Sequence, residues 1–472
     1  MSITTTLSKA ISPERLSDNP STIEAHSYDA WPVAIKWRQQ GKQPCKPEAI
    51  ALPHTTSEVS ALLKQCNANC IPVTPWGLGS SVVGSPLTEA GGVVIDLSEM
   101  ARTIHVDEEN LLVTVEAGKR GDILEAELND KGYTLNQSPQ SLDRSTVGGW
   151  VATRATGQLS SLYGGMEDQL IAIKVVLPDG QVVQTKQTPR AAIGLDVKEI
   201  FLGSEGTFGI VTEVTTRIFT LKPYRRLETI TFDSVNDGIN VMRSLTRQGI
   251  KPFLVRFYDV DEARHAMQDP EFDKCAMFLG FEGIQVMADA EYDVVLGICK
   301  ENNGQAIGSA GVDGWMGRRY DFSAIEKVLA QPGGVAETIE ISDFWSSIEG
   351  TYTELKEALA PLADEVLCHF SHVYAQGTSL YVILVGQVED AAAAEARIKQ
   401  FWDISMNICL KRGAATSHHH GVGLARKAFV AEDQGDGMMV GRKIKAALDP
   451  NNIMNPGKLG YGVKSHLNKG EV

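Results

Sequence analysis

The chain has 472 residues, 43% hydrophobic and 22% charged, with a formal net charge of -15. That length exceeds one small core, so two domains or one domain with a large insertion are expected. The acidity, with no Lys/Arg cluster to offset it, argues against nucleic-acid partners, and no apolar run is long enough to span a membrane.

The first residues, Met1 to Ser8, lack the basic start and apolar core of a secretory signal, so the cytoplasm is the expected location. The cysteines (45, 66, 70, 275, 299, 368 and 409) are scattered. Cys66 and Cys70 lie in a helix-like stretch without further ligands nearby, so zinc is not expected there.

In chain order, residues 57–70 read as a helix capped by Ser57, with Val59, Leu62, Leu63 and Cys66 on one face. Residues 71–75 read as a strand feeding a glycine-rich loop. Strands follow at 93–97 and 111–117, and a helix at 121–131. Pro178-Asp179-Gly180 marks a hairpin within 170–185. A strand at 210–219 closes this mixed α+β half.

From residue 227 longer alternating units appear, with strands at 228–232, 253–257, 276–281 and 335–339 and helices at 235–248, 288–301 and 344–362. The strands 365–373 and 379–385 then precede a helix at 391–411. Such β-α-β rounds suggest a sheet covered on one face by helices, as in a substrate domain.

Four runs carry chemistry. Pro75-Trp76-Gly77-Leu78-Gly79-Ser80-Ser81 offers consecutive N–H groups and hydroxyls that suit phosphate oxygens, although by itself it fits a plain turn better. It is neither G-x-G-x-x-G opening a helix nor a Gly-Lys-Ser/Thr loop. The second run holds Gln140-Ser141-Leu142-Asp143, Ser145-Thr146, Gly148-Gly149 and Thr153-Arg154-Ala155-Thr156. The third holds Glu205-Gly206-Thr207 and Gly209-Ile210-Val211. Three such small-residue, hydroxyl-rich runs suit a backbone wrapped around one large polar ligand. The fourth, Ser417-His418-His419-His420-Gly421-Val422-Gly423, clusters imidazoles that titrate near neutral pH beside flexible glycines.

The first three runs, in this order, resemble the FAD-binding domain of the vanillyl-alcohol oxidase, or PCMH, type over about residues 45–225. The resemblance continues at Leu448-Asp449-Pro450-Asn451-Asn452-Ile453-Met454-Asn455-Pro456-Gly457-Lys458, a segment that in this family returns to the flavin domain. It implies an N-terminal segment 1–44, a flavin domain 45–225, a substrate or cap domain 226–412, and a C-terminal segment 413–472 completing the site. It also implies FAD as cofactor. Ser80 and Ser81 stand where many relatives carry a flavin-linking histidine, so the FAD is expected to be non-covalent.

Within the superfamily, the histidine run and Ser145–Trp150 make the chain similar to the alkyldihydroxyacetonephosphate synthases. That similarity implies catalytic roles for Tyr381, Arg256, His418, His419 and His420, and a homodimer. Two positions depart from the pattern. Glu326 stands where the synthases have a substrate-binding arginine, and Gln137 where they have a histidine; both are assigned to the substrate pocket. A carboxylate cannot replace an arginine's bidentate grip on an anion. The similarity extends to D-lactate and related 2-hydroxy acid dehydrogenases, but of their metal-binding loop only His372 is matched, so no metal is expected. The function expected is an FAD-dependent oxidoreductase in which flavin accepts a hydride from a small hydroxylated substrate. The alternative is a synthase-like transferase using a flavin N5 adduct.

Overall fold

A computed structural model describes residues 2–461; the end of the 413–472 segment lies outside them. The flavin half contains two sheets. The smaller has strands Ala49–Ala51, Val93–Asp96 and Val73–Trp76 in parallel, with Leu16–Ser17 added antiparallel at the edge. The larger, antiparallel throughout, runs in the order Thr103–Asp107, Leu112–Glu116, Ile210–Arg217, Leu170–Val176 and Val182–Gln184. The helix Thr56–Ala68 is capped by Thr55, whose side chain accepts from the Glu58 N–H; Ser57, the expected cap, is inside it.

The cap is built on a seven-stranded sheet in which every pairing is antiparallel. Its last three strands, Glu365–Val373, Gly377–Gln387 and Gly334–Phe344, lie side by side. The last of these runs five residues past the expected end at Ile339, so the helix expected over 344–362 is only Ile348–Leu359. The longer strand places Glu340 directly opposite Tyr381. The alternation reads as a strand through Phe344, but the carboxylate and Ser342-Asp343 interrupt its apolar run.

The ends of the chain tie the halves together. The helix Pro32–Gln39 packs against the long cap helix Ala391–Arg412, and Trp37 Nε1 donates to Glu395 at 3.0 Å. The C-terminal segment packs against the N-terminal half. Ile453 and Asn455 pair with Val73, at 2.7 Å each, and the buried Lys445 ammonium donates to the carbonyls of Thr207 and Met454.

Candidate active site

A cavity of about 770 Å³ lies between the two halves, within the range that holds a sizeable ligand. Its flavin-side wall includes every residue of the 75–81 loop, with Gln140, Ser141, Ser145, Thr146, Gly148, Gly149, Thr153, Ala155, Thr156, Glu205, Gly206, Gly209, Ile210 and Val211. Close packing explains the glycines. A Cβ on Gly77 would sit 2.7 Å from Thr146 Oγ1, and one on Gly206, where φ is +72°, 2.6 Å from the Pro75 ring. At Gly149 a Cβ would meet only Thr146 Oγ1, at 3.2 Å, on a wall that lines the cavity. Backbone amides and neutral hydroxyls suit a long, polar, phosphate-bearing molecule, so the wall fits FAD.

Four expected cofactor residues do not line the cavity. Leu142 packs into the flavin-half core, Asp143 pairs with Arg144 at 3.1 Å, and Thr207 Oγ1 donates to the Ser204 carbonyl. Arg154 takes a left-handed conformation, φ +55°, to end the helix Val147–Thr153.

The opposite wall carries Arg256, His369, His372, Tyr381, His419 and His420. Tyr381 Oη lies 2.8 Å from His420 Nε2 and 3.4 Å from His419 Nε2. Burial and the nearby Glu340 charge hold the phenol well above its usual pKa, so it is neutral. Burial also pushes His420 down to about 4, against the pull of Glu340, and His419 to about 3.

Sequence reasoning missed what shapes this loop. The fully buried Glu340 carboxylate accepts the backbone N–H groups of His418, His419 and His420, together with the Ser417 hydroxyl at 3.1 Å. Arg426, itself buried, donates to Glu340 Oε1 at 2.9 Å and to the carbonyls of Thr416 and Gly421. Burial opposes the charge on Glu340, but Arg426 and the imidazoles hold it well below the usual carboxylate range. Glu205 fastens the other end of the loop by accepting from the Val422 and Gly423 N–H groups. The only available signal was the glutamate within Glu337-Thr338-Ile339-Glu340, and nothing local told the two carboxylates apart.

The two departures fall differently. Glu326 does line the cavity, but it is paired with Arg144 at 2.9 Å, so the pair is neutral and repels an anion less than a lone carboxylate would. Gln137 is buried with its amide donating to the Ala155 carbonyl at 2.6 Å and is not on the cavity wall, which corrects its assignment to the substrate pocket. His418 also lies off the wall, its Nε2 2.7 Å from Tyr374 Oη. One donor atom each from His372, His418 and His419 lies within 4.8 Å of the others, a set that could hold a metal ion where the sequence had led us to expect none.

Comparison with known proteins agrees with this geometry. Residues 47–186 match the family model described as FAD binding domain, and residues 221–459 the one described as FAD linked oxidases, C-terminal domain. The chain is 31% identical over 429 residues to the uncharacterized FAD-linked oxidoreductase YgcU of Escherichia coli K12, covering 88% of this chain and 89% of that protein. It is 28% identical over 464 residues to the alkyldihydroxyacetonephosphate synthase of Trypanosoma brucei brucei, covering 90% and 75%. To the mitochondrial D-lactate dehydrogenase [cytochrome] of Arabidopsis thaliana it is 29% identical over 426 residues, covering 88% and 73%. A solved alkyldihydroxyacetonephosphate synthase shares the fold at TM-score 0.80 and 24% identity, covering 96% of this chain and 85% of that one. Substrate-bound p-cresol methylhydroxylase shares it at TM-score 0.79 and 15% identity, covering 97% and 96%. The cofactor is FAD, no helix among the described residues is long and apolar enough to cross a membrane, and the chain belongs to the FAD-linked oxidase family.

Proposed function

We propose that the protein oxidises a small hydroxylated compound. The observation that carries this reading is the line from Tyr381 Oη through His420 to Glu340. His420 Nδ1 makes no hydrogen bond among the described residues, but Glu340 Oε1 lies 3.4 Å from it, and that negative charge favours the tautomer with the proton there and leaves Nε2 to accept from the phenol. Tyr381 then takes the hydroxyl proton of the substrate as its own proton passes to His420, and Glu340 stabilises the imidazolium that results. Bound FAD supplies the two-electron acceptor for the hydride. The relatives named D-lactate dehydrogenase and glycolate oxidase support a hydroxylated substrate.

The similarity to the synthases favours a second reading, a transferase without net redox change. Anaerobic mixing with hydroxy acids, polyols and sugar derivatives should bleach the flavin with at least one compound. Acyl-dihydroxyacetone phosphate with labelled hexadecanol should give no ether lipid. Steady ether-lipid formation without bleaching would establish the transferase instead. A cytoplasmic homodimer completes our reading and is checked by cell fractionation and light scattering.

A further inference from the structure

Beside the phenol lies a second carboxylate–imidazole pair that the hydride reading does not use. His369, 1% exposed, has Nδ1 at 2.7 Å from Glu262 Oε1 and Nε2 at 2.7 Å from Arg256 Nη2. An arginine nitrogen can only donate, so Nε2 accepts, and the ring proton must sit on Nδ1 and donate to Glu262. Arg256 Nε donates to Tyr258 Oη at 2.7 Å, which fixes the guanidinium plane at a second point. The His369 ring also stacks on Tyr381, with centroids 4.7 Å apart and planes 13° from parallel. One imidazole thus touches both groups that face the substrate.

We propose that Glu262 and His369 are positioning residues that hold the Arg256 guanidinium towards the substrate oxygen and seat the Tyr381 ring. The proposal rests on the hydride reading for the identity of that oxygen, but the geometry of the pair does not. Glu262 balances the arginine's charge through a neutral ring, so Arg256 presents directed donors without a net positive site. The groups facing Glu262 are Arg256, Tyr258, Cys368, His369 and Tyr381 on neighbouring strands, Lys356 on the helix Ile348–Leu359, and Asp259 and His265 on its own helix. Burial lifts its carboxyl to about 7, against Arg256, His265 and Lys356. The ionised form accepts most strongly from Nδ1–H and so holds the ring and Arg256 most firmly, and substrate affinity should weaken as pH falls through about 7.

Two measurements on the full-length, FAD-loaded protein test this. In 15N-histidine-labelled protein at pH 8, the resonance lost in His369→Gln should show the Nδ1–H form. An Nε2–H or doubly protonated ring would overturn the proposal. In flavin bleaching by whichever panel compound reduces it, Glu262→Gln should raise the half-saturating concentration about 10- to 100-fold, the usual effect of losing an orienting partner. It should also remove the acidic fall in affinity. In an Arg256→Lys background the same change should add less than about 2-fold, because the two residues act as one. Full additivity would overturn the proposal. If no compound bleaches the flavin, the hydride reading fails and the tautomer result alone decides the pair.

Discussion

The flavin-side wall of the cavity is mainly backbone and small side chains from three loops, with one carboxylate, Glu205, whereas the facing wall is ionisable side chains held by other ionisable side chains. The first binds a ligand through groups that every residue owns, and its sequence requirement is mainly permission for close approach, met by glycine. The second needs particular partners at particular distances, contributed by residues far apart in the chain, such as Glu262 with His369 and Glu340 with Arg426. A change on the flavin wall is therefore expected to alter cofactor retention, and a change on the cap wall to alter chemistry or pH response.

The flavin side offers the most complete effect. A cofactor held by loop amides and hydroxyls, with Ser80 and Ser81 on the wall where an imidazole would be needed, should be released entirely as free FAD by mild acid or heat. Flavin remaining on the denatured polypeptide would break the contrast, since a side chain would then be doing the holding.

On the cap side the largest effect should come from Glu340→Ala. It strands the buried Arg426 charge, and breaking a buried pair in this way costs about 3–5 kcal/mol. It also frees the loop amides of His418, His419 and His420, and misplacing a catalytic group by about 1 Å costs roughly 10²-fold in rate. Thermal unfolding and flavin-reduction rates should both fall sharply. A variant with the stability and rate of the parent would show that the loop holds its shape without the clamp.

Tyr381→Phe should be cleaner. It removes one oxygen and leaves stacking on His369 intact, so FAD content and melting temperature should be kept while flavin reduction slows by roughly 10²-fold or more. A rate within a few-fold of the parent would move the proton transfer to the histidines themselves.

The same contrast explains what the sequence disclosed. The glycine-rich loops, the returning segment around Asn455, and the Tyr381, Arg256 and histidine positions could be picked out because each is a contiguous run or is implied by family resemblance. Glu340 and Arg426 could not, since a buried pair that joins a strand to a distant loop leaves no local pattern. Glu262 reads as an ordinary first-turn acid of the helix Val260–Met267, and only the fold turns it towards His369. Gln137 failed for the opposite reason. Its place in the chain suggested the pocket, but a nearby carbonyl captured its amide.

The smallest effect concerns Glu337, on the same strand as Glu340 and also on the cavity wall, but without a cation bonded to it. Burial lifts its carboxyl to about 8, against donation from the Thr338 N–H and Trp402 Nε1. The unfolded chain releases this proton near the ordinary value of 4.5. Between that value and about 8 the folded state binds more proton than the unfolded one, so this group's contribution to stability falls as pH rises through the window. Glu337→Gln removes the titration. Whatever constant offset the amide introduces, the melting temperature of the variant relative to the parent should rise steadily from pH 5 to pH 8.5, by a few degrees. A flat difference would mean that Glu337 is ionised in the folded protein, with its charge met by Arg426, and two anions would then share one arginine.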